Sequence, residues 1–183
     1  LTESADLGIA HDGDADRINV IDETGNVIPE DSVIALLAGH YAGEGDCVVT
    51  SLDTSIRIDE HVSRKGGKTQ RVMLGNLHEG VSQYKAVFAG EPWKHVHARF
   101  GNWIDGIVSA AVLVKLIQDR KASQLCSEIH QYPQKKINLK TGDRDRLVNF
   151  FRDNLNQFKD IKEVVTISAV SYTHLTLPTN REV

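Results

Sequence analysis

The stretch "CVVTSLDTSIRIDEHVSRKGGKTQRVM", Cys47 to Met73, sets two β-branched runs on either side of a polar, amphipathic segment. The first run, "CVVTSL" from Cys47 to Leu52, has the short apolar form of a strand buried on both faces. From about Ser55 the pattern is that of a capped helix that stops at Gly66 and Gly67, and "TQRVM" follows as the next strand. A strand–helix–strand succession of this length predicts parallel strands joined by a right-handed crossover.

The same alternation continues in both directions. Upstream, Asp31 or Ser32 can cap a helix carrying Val33, Leu36, Leu37 and Tyr41, which the Gly43–Gly45 region ends. Downstream, Asn76 with Glu79 three residues later marks another helix start, and "AVFAGE" from Ala86 to Glu91 another strand. From Asp105, an N-cap, the residues Ile107, Val108, Ala111, Val112, Val114 and Leu116 predict a helix apolar on most sides, and hence buried. The fold class is therefore α/β, a mostly parallel sheet with flanking helices. Catalytic groups in such sheets sit on loops beyond the carboxyl ends of strands, and Glu91 stands at one such end.

Composition bounds the rest. With 183 residues, 40% hydrophobic and 25% charged, the chain can bury a real core and hold one to two domains. A net charge of −4 argues against non-specific nucleic-acid binding. No apolar run reaches the ~18 residues of a membrane span, and no signal peptide is visible. Two cysteines, Cys47 and Cys126, fit a reduced, cytoplasmic setting. The sequence opens on Leu1 inside patterned residues and reads as a piece of something longer. Near its end, "VSYTHLTLPT", Val170 to Thr179, resembles the translation of a transposase-end adapter used in preparing DNA sequencing libraries, and it is set aside from the fold.

The most charged motif is "HDGDADR", His11 to Arg17, with aspartates at three alternate positions. Near neutral pH these carboxylates are ionised and repel one another, so a positive partner is expected. Mg²⁺ prefers carboxylate oxygens and keeps positions open for water or a phosphate, and Gly13 can take a positive φ if the loop needs a tight bend. A solvated acidic turn accounts for one or two aspartates, not for three in register beside an arginine. A calcium-binding EF-hand also matches Asp12, Asp14, Asp16 and Glu23, but its sixth position requires glycine and here is Arg17. Its helices are missing too, because "INVID" after the loop alternates like a strand.

The second motif, "GEPWKH" from Gly90 to His95, gathers a carboxylate, an aromatic and two potential cations on what reads as one loop. Glu91 could accept hydrogen bonds from sugar hydroxyls, Trp93 could cover an apolar sugar face, and Lys94 or His95 could meet a phosphate.

Together the two motifs carry a resemblance. "DLGIAHDGDADR" is similar to the metal-binding loop of the α-D-phosphohexomutases, which include phosphoglucomutase, phosphomannomutase and phosphoglucosamine mutase. "FAGEPWKH" followed by "WIDGIVSAA", about 75 residues downstream, resembles that family's sugar-binding loop and the helix after it, and "GGKTQRVMLGNLHEG" the segment before it. The resemblance implies Asp12, Asp14 and Asp16 as magnesium ligands, Arg17 as a contact to the active-site phosphate, Glu91 as a ligand of sugar hydroxyls and His95 as a further substrate contact. One departure stands out, because Trp93 and Lys94 occupy positions where the family usually has serine and glycine. His11 reads as an ordinary loop residue.

The implied organisation is the end of the second domain over 1–28, the third domain over 29–131, the start of the fourth over 132–169, and an adapter-derived tail over 170–183. The fourth-domain piece includes "DRLVNFFRDNLNQF", with Leu147, Phe150, Phe151 and Leu155 on one side. The implied activity is reversible phosphoryl transfer between the C1 and C6 oxygens of a hexose phosphate, through a phosphoserine and a bisphosphate. The serine loop belongs to the family's first domain and has no match here, so the fragment by itself is expected to be inactive. Neither nucleic acid nor membrane is implied as a partner, and no oligomeric state. A non-catalytic module that binds a divalent metal is the alternative.

Overall fold

The computed structural model describes residues 4–132 and 140–154. The chain divides into two units, residues 1–133 and 134–183. In the first, β1 (Leu7–His11) and β2 (Ile18–Asp22) form an antiparallel hairpin in which Leu7 faces Asp22 and His11 faces Ile18. Then follow α1 (Glu30–Tyr41), β3 (Cys47–Ser51), α2 (Arg57–Ser63), β4 (Lys68–Val72), α3 (Leu77–Tyr84), β5 (Phe88–Glu91), β6 (Lys94–His97), α4 (Gly106–Leu116) and α5 (Ala122–Ser127).

The larger sheet has the strand order β4-β3-β5-β6. β3 runs parallel to both β4 and β5, as the Cys47–Met73 stretch predicts, whereas β6 is antiparallel to β5. Alternation along the strands sorts their side chains into two cores. Val48 and Phe88 face one way, with Ile34 and Leu37 of α1, Ile58 and Val62 of α2 and Leu113 of α4. Val49, Ala89 and Val96 face the other way, with Leu77 and Val81 of α3. Helices thus cover both faces, the usual solution for strands without a polar side. Gly90 lets α1 lie close over β5, because a Cβ there would stand 2.8 Å from Ile34 Cγ2.

Several boundaries differ from expectation, each for a local reason. α1 starts at Glu30 with Pro29 at the N-cap position and no side-chain cap, so Asp31 and Ser32 lie in its first turn, where both are buried. Proline presets the φ of a helix entry without a capping oxygen. α2 begins at Arg57 rather than Ser55, and Asn76 precedes α3 without bonding it through its side chain. Asp105 does cap α4, its carboxylate accepting the Val108 N–H at 2.9 Å. α4 is not enclosed, however: it packs through Gly106, Ser109, Val112 and Leu113, leaving Ile107 59% and Val114 51% exposed.

In the second unit the described helix is α6 (Arg144–Asp153), capped by Asp143, whose carboxylate accepts the Arg146 N–H at 2.9 Å. Leu155 and the 170–179 segment fall outside the described residues.

Two histidines of β6 are built into the first core. Ser109 Oγ donates to the Asp105 carbonyl at 2.8 Å, and it lies 3.0 Å from His95 Nδ1 and 2.8 Å from His97 Nε2. A hydroxyl has one proton, so all three bonds form only if both imidazoles donate to Ser109. His97 Nδ1 then accepts from the Tyr41 hydroxyl at 3.0 Å. Burial holds both rings neutral, lowering the pKa of His95 to about 3 and that of His97 to about 4.

Both folded values lie below the ~6.5 of an unfolded histidine, so the unfolded chain takes up protons that the native state refuses. Stability from this pair is complete above about pH 6.5 and is lost as the pH falls towards 4 and then 3. Urea midpoints measured down this range should fall, and His97→Phe should flatten the slope; an equal slope in the variant would refute this account.

Candidate active site

The acidic motif forms the loop between β1 and β2. Its tight turn is closed by the Ala15 N–H donating to the Asp12 carbonyl at 3.2 Å. The bend does not use the freedom of Gly13, and its positive φ is at Ala15, 57°. The cause is packing at the start of α4, where the Gly106 N–H donates to the Ala15 carbonyl at 3.1 Å. A Cβ on Gly106 would stand 2.6 Å from that oxygen. His11 closes the loop from the other side, its Nδ1 donating to the Arg17 carbonyl at 3.0 Å. With strands on both sides, the calcium-type helix–loop–helix is absent here.

Asp12, Asp14 and Asp16 each turn a carboxylate oxygen into one group whose members lie within 4.8 Å of one another. Two cations already stand against it. Arg17 Nε is 2.6 Å from Asp12 Oδ2 and 3.5 Å from Asp16 Oδ1, while Lys94 Nζ is 2.6 Å from Asp16 Oδ2. Desolvation pushes the Asp12 carboxyl up, but hydrogen bonds from the Arg17 backbone and guanidinium outweigh it and leave Asp12 below the ordinary carboxylate value. Three converging carboxylates form a hard oxygen donor set that fits Mg²⁺.

The sugar-binding motif is not a single loop. Glu91 and Lys94 are paired residues of the β5–β6 hairpin, joined by a two-residue turn of Pro92 and Trp93. Proline followed by a residue of positive φ is the type II pattern, and Trp93 supplies it with φ 67°. Glycine is the usual residue at that place, so an indole there is a strained choice. The turn is docked on the acidic loop, since the Ile18 N–H donates to the Trp93 carbonyl at 3.1 Å and Arg17 forms an antiparallel bridge with Lys94. Between them opens a cleft of about 280 Å³ lined by Ala10, His11, Asp12, Arg17, Asn19 and Trp93.

Glu91 is buried at the end of β5, its Oε2 accepting the Gly75 N–H at 2.8 Å. Burial raises its pKa, opposed by that hydrogen bond and by the Lys94 charge. The Gly75 contact was not legible in the sequence, because the two partners stand 16 residues apart. Nor did Gly106 stand out, although its missing side chain admits the acidic loop.

The structure therefore brings Asp12, Asp14, Asp16, Arg17, Trp93 and Lys94 together, with Glu91 opposite Lys94 at the turn of the same hairpin. His95, expected as a substrate contact, is 1% exposed and turned into the core against Phe88 and Ser109. Strand alternation is the reason, because neighbours on β6 face opposite sides and Lys94 takes the side of Asp16.

Fold and site together define an α/β/α domain with a cation-suited acidic loop beside the carboxyl ends of its strands. Residues 29–132 match the family described as phosphoglucomutase/phosphomannomutase, alpha/beta/alpha domain III, and the chain belongs to that phosphohexomutase family. It is 48% identical over 170 residues to the phosphopentomutase of Thermococcus kodakarensis, covering 89% of this chain and 38% of that protein. Over 181 residues it is 37% identical to a protein of Methanobrevibacter smithii named Probable phosphoglucosamine mutase, covering 92% and 38%. Its fold matches a phosphoglucomutase/phosphomannomutase family protein from Burkholderia thailandensis with a TM-score of 0.74, at 24% identity over 90% of this chain and 37% of that one. The chain spans about 38% of the length of these curated relatives. No helix among the described residues is long and apolar enough to cross a membrane.

A buried carboxyl whose folded pKa is raised costs stability at neutral pH, and the cost disappears once the pH falls below its unfolded value. Glu91→Gln keeps an acceptor for the Gly75 N–H and removes the charge. We expect Glu91→Gln to be the more stable form by urea denaturation at pH ~7, with the difference closing towards pH ~4. A less stable variant at neutral pH would contradict the buried-charge account.

Proposed function

We propose that the protein carrying this chain is a sugar-phosphate mutase, moving a phosphoryl group between two oxygens of one aldose phosphate through an enzyme phosphoserine and a bisphosphate intermediate. The observation that supports it most is the acidic cluster with Arg17, stitched by backbone bonds to the hairpin that carries Glu91, in a chain of this family. Asp12, Asp14 and Asp16 would hold Mg²⁺, which when bound stabilises charge developing on the transferring phosphoryl oxygens. The Arg17 guanidinium adds fixed donors for the same oxygens. Glu91, held by the Gly75 N–H in a poorly solvated place, accepts hydrogen bonds from sugar hydroxyls. The Trp93 indole flanks the cleft and offers an apolar wall to a sugar ring.

For the substrate we favour a pentose phosphate over a hexose phosphate, supported by the 48% identity to a protein named phosphopentomutase. The large Trp93 side chain, which lines the cleft where the family resemblance has serine, agrees with a smaller sugar. The phosphoserine is assigned to a part of the enzyme that this sequence does not match. Positioning supplies a large share of such catalysis, so the chain by itself is inactive in this reading.

The full-length protein, assayed with Mg²⁺ against ribose, glucose, mannose and glucosamine phosphates, should interconvert the pentose 1- and 5-phosphates at least about tenfold better than any hexose pair. Asp14→Asn should lower kcat by on the order of a hundredfold. Loss of the pentose preference would reverse the substrate choice, and no interconversion of any sugar phosphate would overturn the mutase reading.

A further inference from the structure

We propose that Lys94 is a displaceable counter-ion of the acidic loop: a divalent cation takes Asp16 from its ammonium, which then serves the phosphate of the bound sugar. The proposal rests on the reading that Asp12, Asp14 and Asp16 hold a metal. Lys94 Nζ lies 2.6 Å from Asp16 Oδ2, and both side chains are about three-quarters buried, so little water screens the pair. Arg17 already occupies Asp12 through a bond to Nε and another from its own backbone N–H. Three carboxylates facing two cations leave the cluster with one net negative charge. A divalent ion added to that set would leave it positive, and repulsion then acts on the group that can move.

Lys94 is that group. Arg17 Nε stands between two carboxylates, 2.6 Å from Asp12 and 3.5 Å from Asp16, and its backbone N–H also bonds Asp12, whereas the Lys94 ion pair is with Asp16. The Lys94 ammonium is a point charge on a four-carbon stem, whose rotamers let it leave Asp16 without moving the backbone. Lys94 does not itself line the cleft but follows Trp93, which does, so the released ammonium reaches the sugar by swinging on its stem. Its strand partner Glu91 provides a second carboxylate on the same hairpin, so the ammonium is not left unpaired before the sugar arrives. A glycine at this position, as in the family resemblance, has neither the competing nor the serving role. Lys94 is thus a positioning and specificity residue peculiar to the Trp-Lys turn.

Two titrations of the whole 183-residue chain test this, both followed by NMR of the backbone amides and the lysine side chains. In the first, Mg²⁺ should bind Lys94→Met about tenfold more tightly than the unsubstituted chain, and in the latter it should shift the Lys94 Nζ and Cε signals as the ion pair breaks. In the second, ribose 5-phosphate should bind the Mg²⁺-saturated chain several-fold more tightly than Mg²⁺-saturated Lys94→Met, and without Mg²⁺ the two should bind it alike. Lys94→Arg keeps charge and fold and serves as the folding control.

Equal Mg²⁺ affinity in the two chains, or Lys94 signals unmoved by bound Mg²⁺, overturns the proposal and leaves the metal reading standing. Failure of both chains to bind Mg²⁺ at millimolar concentration, with Asp14→Asn indistinguishable from either, overturns the metal reading and the proposal together. Equal affinity of the two Mg²⁺-saturated chains for ribose 5-phosphate overturns the serving role.

Discussion

The docking of the acidic loop on the β5–β6 turn is the constraint from which the rest of the site follows. Three aspartate oxygens within 4.8 Å lie closer than the ~8 Å over which physiological salt screens charge, so the loop cannot hold its shape by itself. Its shape comes from outside. The Ile18 N–H to the Trp93 carbonyl, the Gly106 N–H to the Ala15 carbonyl and the His11 ring on the Arg17 carbonyl fix its backbone at three points, while Arg17 and Lys94 offset its charge. Loosening any of these would let the carboxylates spread into water, where they gain more hydration than they lose in order.

The hairpin can carry that load because its base is rigid. β5 lies between β3 and β6, and Phe88 beneath it is fully buried among Tyr41, His95 and His97. The Ser109 hydroxyl ties both histidines to the first turn of α4, whose N-terminal glycine touches the acidic loop. The network is satisfied at Ser109 and at both nitrogens of His97, while His95 Nε2 is buried without a hydrogen-bond partner. It links the sheet to the start of α4, and its members do not line the cleft beside the acidic loop. His95 belongs to this support.

Much of this was legible in the sequence. The β-branched runs gave β3 and β4, "INVID" gave β2, and the alternation of strands and helices predicted a parallel sheet because periodicity reports burial directly. The acidic motif was legible since like charges crowded at alternate positions have few structural uses. What escaped were features set by partners far apart in the chain. The hairpin at Pro92–Trp93 reads in the sequence as one loop, because a type II turn with tryptophan at its third position violates the glycine rule that makes such turns recognisable. The inward turn of His95 depended on that hairpin, whose register decides which side each β6 residue faces. The left-handed residue of the acidic loop is Ala15 rather than the permissive Gly13, and its carbonyl is held by Gly106, 91 residues away.

These departures share a position in the fold. Trp93 and Ala15 both take positive φ without being glycine, and both sit where the acidic loop meets its neighbours. Backbone conformations of this sort cost on the order of 1–3 kcal/mol each and persist only where surrounding contacts over-determine them. Here those contacts are visible, because each residue's carbonyl accepts an N–H from the opposing element. A third such residue, Lys85 at φ 52°, ends α3 away from the site, whereas the strain at Ala15 and Trp93 is spent on aiming side chains. Ala15 closes the bend that turns Asp12, Asp14 and Asp16 together, and Trp93 makes the turn that sets an indole over the cleft and an ammonium against Asp16. A sequence relaxed at both points would keep the α/β/α sandwich, whose cores lie elsewhere, and would lose the alignment of the loop with the hairpin.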